Sequence, residues 1–208
     1  MYIVVLLFSV IIHEVSHGYV ADKLGDPTAR LAGRLTLNPK SHIDLFGSII
    51  LPLMLILLNT GIVFGWAKPV PFDPFNLKNP RRDSAIISFA GPLSNFIIAI
   101  ISSILIRVFI FSDIAVLLFS TIIYLNMILA VFNLLPIHPL DGFKVVGGLL
   151  SEKQASDWYQ LERYGIIFFL ALIFIPIGNS NMLYIILSPV LEFMLSILLP
   201  QGIGAGII

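Results

Sequence analysis

Long apolar runs separated by short polar connections dominate the hydrophobic pattern of this chain. Each run has about 18 residues or more, which lets a helix cross a bilayer at about 1.5 Å per residue. The runs are Tyr2–Val20, Ile43–Val63, Ser84–Phe111, Ile114–Ile137, Trp158–Ile175 and Met182–Leu199. This pattern predicts an all-α polytopic membrane protein.

The second run differs from the others because Gly47, Pro52, Asn59 and Gly61 interrupt it. Both of its flanks are basic, and basic connections tend to stay on the cytoplasmic side of a membrane. A simple crossing would export one flank. We therefore expect about five transmembrane helices plus a re-entrant or membrane-embedded segment at residues 43–63, since surrounding protein makes irregular backbone tolerable. Six plain spans are the alternative.

Two connecting segments show a different pattern. In Gly33–Pro39, polar side chains alternate with Leu35 and Leu37, as they do in a half-buried strand. The stretch Phe64–Phe72 contains two prolines, which restrict it to an edge strand or an extended loop. We expect short β-strand elements here, near the functional site, with surface loops as the alternative.

Composition supports a membrane protein and limits the possible chemistry. Of 208 residues, 58% are hydrophobic and 12% are charged, which is too little polar surface for a soluble domain. No cysteine is present, so any metal must be bound by His, Asp or Glu. The formal net charge is zero and no basic stripe exists, which argues against nucleic acid as a partner. The first run lacks the features of a cleaved signal peptide, and we expect a retained helix.

Two histidines and a glutamate interrupt the first apolar run in the sequence HEVSH. His13 and His17 are four residues apart and share one helix face, so their imidazoles can bind a single zinc ion. Glu14 then lies beside the metal, where a carboxylate can take a proton from water. Ionisable groups inside a transmembrane helix indicate function. A hydrogen-bonded pair of buried histidines is the alternative.

Catalytic zinc usually has three protein ligands and keeps one position open. Asp141 is the preferred third ligand, because it follows the fourth run in a segment broken by Pro136 and Pro139. Asp44 and Glu192 are competing carboxylates, but neither lies beside such a broken segment.

Two further histidines, His42 and His138, are possible ligands. Hydrogen bonding at the membrane interface is the simpler interpretation for each. His138 precedes Asp141 by three residues, so it is also a candidate partner that orients this carboxylate.

A shared metal site also constrains the topology. His17 and Asp141 each lie toward the C-terminal end of an apolar run, so the two helices must run in the same direction to reach one ion. One helix, Ser84–Phe111, separates the second run from the fourth. We therefore expect residues 43–63 to make no net crossing.

Three motifs together resemble the site-2 protease family of intramembrane zinc metalloproteases. They are HEVSH in an apolar helix, AGPLSN at Ala90–Asn95 and NLLPIHPLDG at Asn133–Gly142, in the order found in the family. The resemblance covers roughly Ile11 to Gly148. It implies one zinc ion per chain and four functional residues: the zinc ligands His13, His17 and Asp141, and the catalytic base Glu14.

The resemblance also places Asn95 and Asn133 beside the zinc site. Their amides are candidates for substrate binding or for donation to the oxyanion of a tetrahedral intermediate. Hydrogen bonding between helices, worth about 1 kcal/mol, is the alternative. Smaller members of the family lack the piece from Gly33 to Phe64.

These observations predict a zinc metalloendopeptidase that cleaves peptide bonds within or near transmembrane segments, as in regulated intramembrane proteolysis. Its expected partners are a membrane-embedded protein substrate and the lipid bilayer. We expect a single integral membrane domain over residues 1–208, with a catalytic core at 1–148 and a C-terminal helix pair at 149–208. The expected location is the plasma membrane, multi-pass, with the active site toward the cytoplasm. A non-proteolytic metal-binding or transport protein and a membrane scaffold are the alternatives.

Overall fold

The computed structural model of the chain describes residues 1–58, 65–109, 112–178 and 180–200. In this part of the chain the α-helices are α1 (Tyr2–Leu24), α2 (Thr28–Leu31), α3 (Leu51–Leu57), α4 (Pro80–Val108), α5 (Asp113–Asn133), α6 (Asp141–Leu149), α7 (Glu152–Tyr159), α8 (Gly165–Phe174) and α9 (Met182–Leu198). The 3₁₀ helices are Pro39–Ser41, Pro74–Asn76 and Gln160–Tyr164, and a π-helix, Leu45–Ile50, precedes α3. The strands β1 (Pro176–Ile177) and β2 (Ser180–Asn181) pair antiparallel. The mostly helical prediction is confirmed.

Three helices in the described residues, α1, α4 and α5, are long and apolar enough to cross a membrane. They contain 23, 29 and 21 residues, so each exceeds the length that a bilayer core of about 30 Å requires. Helix α9 has 17 residues and α8 has only 10. The count of five spans therefore stays a prediction.

The fifth apolar run does not form one continuous helix. Its first residues belong to α7 and to the 3₁₀ helix Gln160–Tyr164, and α8 begins at Gly165. The charged pair Glu162 and Arg163 interrupts the run at this point, which a hydropathy average hides. The ends of the second and third runs, residues 59–63 and 110–111, lie outside the described residues.

Helices α1 and α5 run in the same direction. The side chain of Asn126 in α5 donates to the Ser9 hydroxyl in α1 at 2.9 Å. Further along both segments, Asp141 lies 3.0 Å from His13. A later residue of α1 thus contacts a later residue of the second segment, which shows that the two run in parallel. Parallel direction is what a metal shared by the two segments requires.

Helix α4 runs opposite to α1. His13 contacts Asn95, while His17, one turn later, contacts the earlier residue Ile87. The residues between the two helices, 25–79, therefore begin and end at the same end of the bundle. This geometry agrees with the expectation that residues 43–63 make no net crossing.

The two ends of the apolar segment between α1 and α4, at Gly47–Ser48 and at Trp66, are hydrogen-bonded to each other. The Trp66 backbone N–H donates to the Gly47 carbonyl at 3.1 Å, and the Ser48 hydroxyl donates to the Trp66 carbonyl at 2.7 Å. Large apolar side chains along Leu45–Leu57 are exposed. Asn59 and Gly61, which the sequence analysis identified as interruptions, lie outside the described residues.

The short β-strands predicted near the functional site do not form there. In the described residues, Gly33–Pro39 bends and 65–72 is an extended loop, whereas β1 and β2 lie between α8 and α9. The Arg34 guanidinium is buried and donates to the carbonyls of Lys68 and Pro69 at 2.8 and 3.3 Å. Side-chain hydrogen bonds thus take the place of a strand ladder between these segments.

A buried carboxylate ties the residues before α4 to the end of α1. Asp26 is fully buried and accepts from the Thr28 N–H, the Asp73 N–H and the Asn76 side chain. Burial raises the pKa of Asp26, but these hydrogen bonds favour the ionised form and hold the pKa below its ordinary value. The anchored segment includes Val70, which contacts the HEVSH helix at Glu14.

Candidate metal centre

The two histidines of HEVSH lie on one buried face of α1. Their four-residue spacing places the rings one above the other, with centroids 4.7 Å apart and planes at 86°. The His17 Nδ1–H donates to the Ile87 carbonyl of α4 at 2.7 Å, and a carbonyl oxygen can only accept. In the neutral imidazole of His17, Nε2 then carries the lone pair, on the side away from the Ile87 carbonyl.

Asp141 reaches the same point from the first turn of α6. Its Oδ2 lies 3.0 Å from His13 Nε2 and 3.3 Å from His17 Nε2. The sequence predicted this residue near the end of the fourth helix, but α5 ends at Asn133 and Asp141 begins a separate helix. The proline-containing turn ends one helix and lets another start, and α6 packs against α4.

The three side chains form a donor set that fits zinc, consisting of Nε2 of His13, Nε2 of His17 and Oδ2 of Asp141. These atoms all lie within 4.8 Å of one another. Ligands of a tetrahedral zinc at about 2.0–2.2 Å stand roughly 3.3 Å apart, and two imidazoles with one carboxylate are a common catalytic ligand set. Burial raises the pKa of Asp141, but Coulombic attraction and hydrogen bonds from the facing imidazoles outweigh it and lower the pKa.

Gly91 of the AGPLSN motif packs directly against both imidazoles. A Cβ at this position would lie 2.5 Å from His17 Nε2 and 2.6 Å from His13 Nε2, closer than real Cβ atoms approach. Only glycine lets the α4 backbone come this near. The sequence analysis quoted the motif but did not identify this residue, although a glycine inside an apolar helix was the available signal.

Glu14 lies beside the donor set in a cavity of about 200 Å³. Its Oε2 accepts from the Val70 backbone N–H at 2.8 Å. Phe72 and Lys144 also line the cavity, and the Lys144 ammonium lies 4.7 Å from the centre of the Phe72 ring. Sequence reasoning did not identify Val70, Phe72 or Lys144, because their position depends on how residues 65–79 fold back over α1.

The two asparagines from the sequence analysis occupy different places. Asn133 lines the cavity, and its Nδ2 donates to the Leu129 carbonyl at 2.9 Å. Asn95 is fully buried behind His13, with its Oδ1 2.6 Å from His13 Nδ1 and its Nδ2 donating to Asn126 Oδ1 at 2.8 Å. Asn95 therefore contacts a candidate ligand and does not line the cavity.

The competing carboxylates lie away from the donor set. Asp44 precedes the π-helix and accepts from the Gly47 N–H at 2.6 Å, which is a helix-capping contact. Glu192 is exposed on α9.

The other two histidines make separate contacts. His42 is buried, and its Nε2 donates to the Thr36 carbonyl at 2.7 Å. His138 has its Nδ1 3.6 Å from a carboxylate oxygen of Glu162. In the described part of the chain His138 makes no hydrogen bond to Asp141, so the orienting role considered for it has no contact to support it.

Comparison with known proteins gives one consistent result. A model of peptidase family M50 matches residues 1–115 and 110–176. YwhC of Bacillus subtilis (strain 168), named as a candidate zinc metalloprotease, is 40% identical over 186 residues, which cover 85% of this chain and 81% of YwhC. No solved structure matches the chain at a significant level.

More distant relatives carry similar names. Rip2 of Mycolicibacterium smegmatis (strain ATCC 700084 / mc(2)155), also named as a candidate zinc metalloprotease, is 29% identical over 179 residues, covering 83% of this chain and 66% of Rip2. Zinc metalloprotease MJ0392 of Methanocaldococcus jannaschii is 27% identical over 150 residues, covering 72% of this chain and 34% of that protein.

Replacing Gly91 by alanine should weaken zinc binding, because the new methyl group would displace both imidazoles from the donor set. We expect the zinc affinity of the purified protein to fall about tenfold or more, a loss typical of disturbed ligand support. Competition with a chelator of known affinity measures this change. Leu93→Ala is the matched control, since Leu93 lies in the same motif with 41% of its side chain exposed. Wild-type affinity in Gly91→Ala would contradict the site.

Proposed function

Because the chain belongs to peptidase family M50, the site-2 protease family, and is a zinc metalloprotease, we propose that it hydrolyses peptide bonds within or near transmembrane segments of other membrane proteins. The observation that carries this proposal is the position of the donor set. It lies among α1, α4 and α6, and α1 and α4 are long enough to cross a membrane. A protease with its site at this depth meets substrates that are embedded at the same depth.

In this proposal His13, His17 and Asp141 hold one zinc ion. When bound, zinc supplies a Lewis acid that polarises a peptide carbonyl. Glu14 is the catalytic base, and the Val70 N–H fixes its Oε2. In the described part of the chain, Oε1 of Glu14 has no hydrogen-bond donor, so it is available to take a proton from water and pass it to the leaving amine.

Asn133 is the side chain we assign to transition-state support. Its amide nitrogen carries two hydrogens, and the contact with the Leu129 carbonyl uses one of them. The other is available in the cavity to donate to the oxygen of the tetrahedral intermediate. Asn95 instead acts on the site through His13, since it contacts that imidazole from behind.

A helical substrate must unwind at the bond that is cut, because the carbonyls of a helix already accept hydrogen bonds. An unwound strand needs new partners for its backbone. Leu35 packs near Gly18, the residue after His17, and Val70, which lines the cavity, packs near the same glycine. Among the described residues, the backbone N–H groups of Leu35 and Leu37 have no hydrogen-bond acceptor, and we propose that they pair with the extended substrate.

Residues 65–72, which accept hydrogen bonds from Arg34, are less suited to pairing with a substrate. The Lys68 N–H already donates to the His42 carbonyl and the Val70 N–H donates to Glu14. Pro69 and Pro71 have no N–H to offer. We therefore assign substrate pairing to the Leu35–Leu37 segment alone and call this segment the docking edge.

We propose a cytoplasmic orientation of the active site, in the plasma membrane. Lys23 in the last turn of α1 and Arg81 and Arg82 in the first turn of α4 are at the same end of the bundle. The positive-inside bias supports a cytoplasmic location for this end. The exposed apolar side chains of Leu45–Leu57 support a re-entrant segment in contact with lipid. The residues assigned to the site all belong to the proposed catalytic core, 1–148.

Glu14→Gln tests the proposed chemistry. The amide keeps the shape of the side chain but cannot take a proton, so cleavage should fall by at least about 100-fold while zinc remains bound. The assay incubates purified protein with single-span membrane substrates and measures zinc content in parallel. Glu192→Gln, an exposed carboxylate in another apolar helix, is the matched control and should cleave normally. Substantial cleavage by Glu14→Gln would overturn the assignment of the base.

Leu37→Pro tests the docking edge. Proline removes the backbone N–H, and the loss of one hydrogen bond worth about 0.5–1.5 kcal/mol should lower kcat/KM by roughly two- to tenfold. Leu37→Ala removes the side chain and keeps the N–H, so it should retain most of the activity. Equal activity of the proline and alanine variants would rule out pairing at this position.

A further inference from the structure

A buried row of hydrogen bonds connects His13 to the backbone of α5. His13 Nδ1 lies 2.6 Å from Asn95 Oδ1, Asn95 Nδ2 donates to Asn126 Oδ1 at 2.8 Å, and Asn126 Nδ2 lies 2.9 Å from the Ile122 carbonyl oxygen. Both asparagines are fully buried. We call this row, His13–Asn95–Asn126–Ile122, the amide relay.

The backbone end of the amide relay determines the orientation of every group in it. The Ile122 carbonyl can only accept, so Asn126 must turn its NH₂ group toward it and its oxygen toward Asn95. Asn95 must then turn its NH₂ group toward Asn126 and its oxygen toward His13. Because that oxygen can only accept, Nδ1 of His13 carries a proton.

The Ser9 backbone carbonyl fixes the orientation of Asn95 a second time. It accepts from Asn95 Nδ2 at 3.4 Å, while the Ser9 hydroxyl, which can donate or accept, lies 2.9 Å from Asn126 Nδ2. Reversing either amide would bring two oxygen atoms together in a buried apolar region, where unpaired polar groups cost several kcal/mol. The relay therefore has one well-satisfied arrangement.

The amide relay determines which nitrogen of His13 faces the other proposed ligands. Asp141 Oδ2 lies 3.0 Å from His13 Nε2. A neutral imidazole protonated at Nε2 cannot bind a metal through that atom. Asn95 instead stabilises the proton on Nδ1, which leaves the lone pair of Nε2 for the metal.

We propose that Asn126 is a positioning residue of the zinc centre, which acts through Asn95 to hold His13 in the tautomer that presents Nε2 to the metal. His17 obtains the same result directly, because its Nδ1–H donates to the Ile87 carbonyl. In the described part of the chain, the Nδ1 of His13 contacts no backbone carbonyl. The amide side chains of Asn95 and Asn126 connect it to the Ile122 carbonyl instead. The inference rests on the ligand set proposed above and is independent of any substrate.

Asn126→Leu removes the relay and keeps the number and branching of the side-chain heavy atoms. Zinc affinity of the purified full chain should fall about tenfold or more, the usual effect of losing a group that orients a ligand. In zinc-loaded protein with ¹⁵N-labelled histidine, the Nδ1–H proton of His13 should also exchange faster with water and lose its sharp NMR signal, because Asn95 no longer holds its oxygen against it. Chelator competition and this proton signal are both measured without substrate.

Three further variants distinguish the relay from a general loss of stability. Thr121→Val removes a buried hydroxyl that donates to the Leu117 carbonyl in the same helix, and it should leave zinc affinity unchanged. Asn126→Asp should retain much of the affinity, because a protonated carboxyl group can donate its O–H to the Ile122 carbonyl and still accept from Asn95. Ser9→Ala keeps the Ile122 anchor and should have a smaller effect than Asn126→Leu. If Asn126→Leu does not fold, Asn126→Ala replaces it, since truncation introduces no atoms that need new space.

Wild-type zinc affinity together with an intact Nδ1–H signal in Asn126→Leu would overturn the proposal. So would equal losses in Asn126→Leu and Thr121→Val, or in Asn126→Leu and Asn126→Asp. His13→Ala is measured alongside: if that variant binds zinc as tightly as the wild type, the ligand set itself is wrong. Failure of the relay alone leaves the ligand set and the proposed proteolysis untouched.

Discussion

Polar groups buried among apolar helices must find hydrogen-bond partners within the protein, because lipid offers none. The candidate metal centre satisfies that constraint at each imidazole. His17 uses a backbone carbonyl, His13 uses Asn95, and the two Nε2 atoms face one carboxylate oxygen of Asp141. The same requirement accounts for Asn126, whose side chain would otherwise be an expensive polar group in an apolar helix. The polar positions in α1, α4 and α5 thus form one connected cluster.

Close backbone approach on two sides encloses the metal centre. Gly91 lets α4 pack directly on the imidazoles. Gly18 does the same for the connecting segments, since a Cβ there would lie 2.6 Å from Val70 and 2.8 Å from Leu35. Asp26 anchors the segment that carries Val70 and so holds it over Glu14. A cavity of about 200 Å³ lies beside the three donor side chains.

The sequence predicts the centre of the site better than its surroundings, for a physical reason. The spacing of His13 and His17 places them on one face of any α-helix, whatever that helix packs against. Asp141 is predictable from its motif, but an apolar run that contains prolines does not show whether one helix continues or a second begins. The alternation around Arg34 resembles a strand with a solvated face, yet this arginine is buried and binds backbone carbonyls. The pairing of Asn95 with Asn126 depends on how α4 packs against α5, which no local pattern encodes.

We propose that one zinc ion is bound jointly by the histidine pair His13 and His17 and by the carboxylate of Asp141. Anomalous diffraction from crystals of the zinc-loaded protein, recorded above the zinc absorption edge, locates the ion. We predict a single strong peak per chain, about 2.0–2.2 Å from Nε2 of His13, Nε2 of His17 and a carboxylate oxygen of Asp141. A peak coordinated by Asp44 or Glu192, or a zinc ion bound by the histidines without Asp141, would contradict the account.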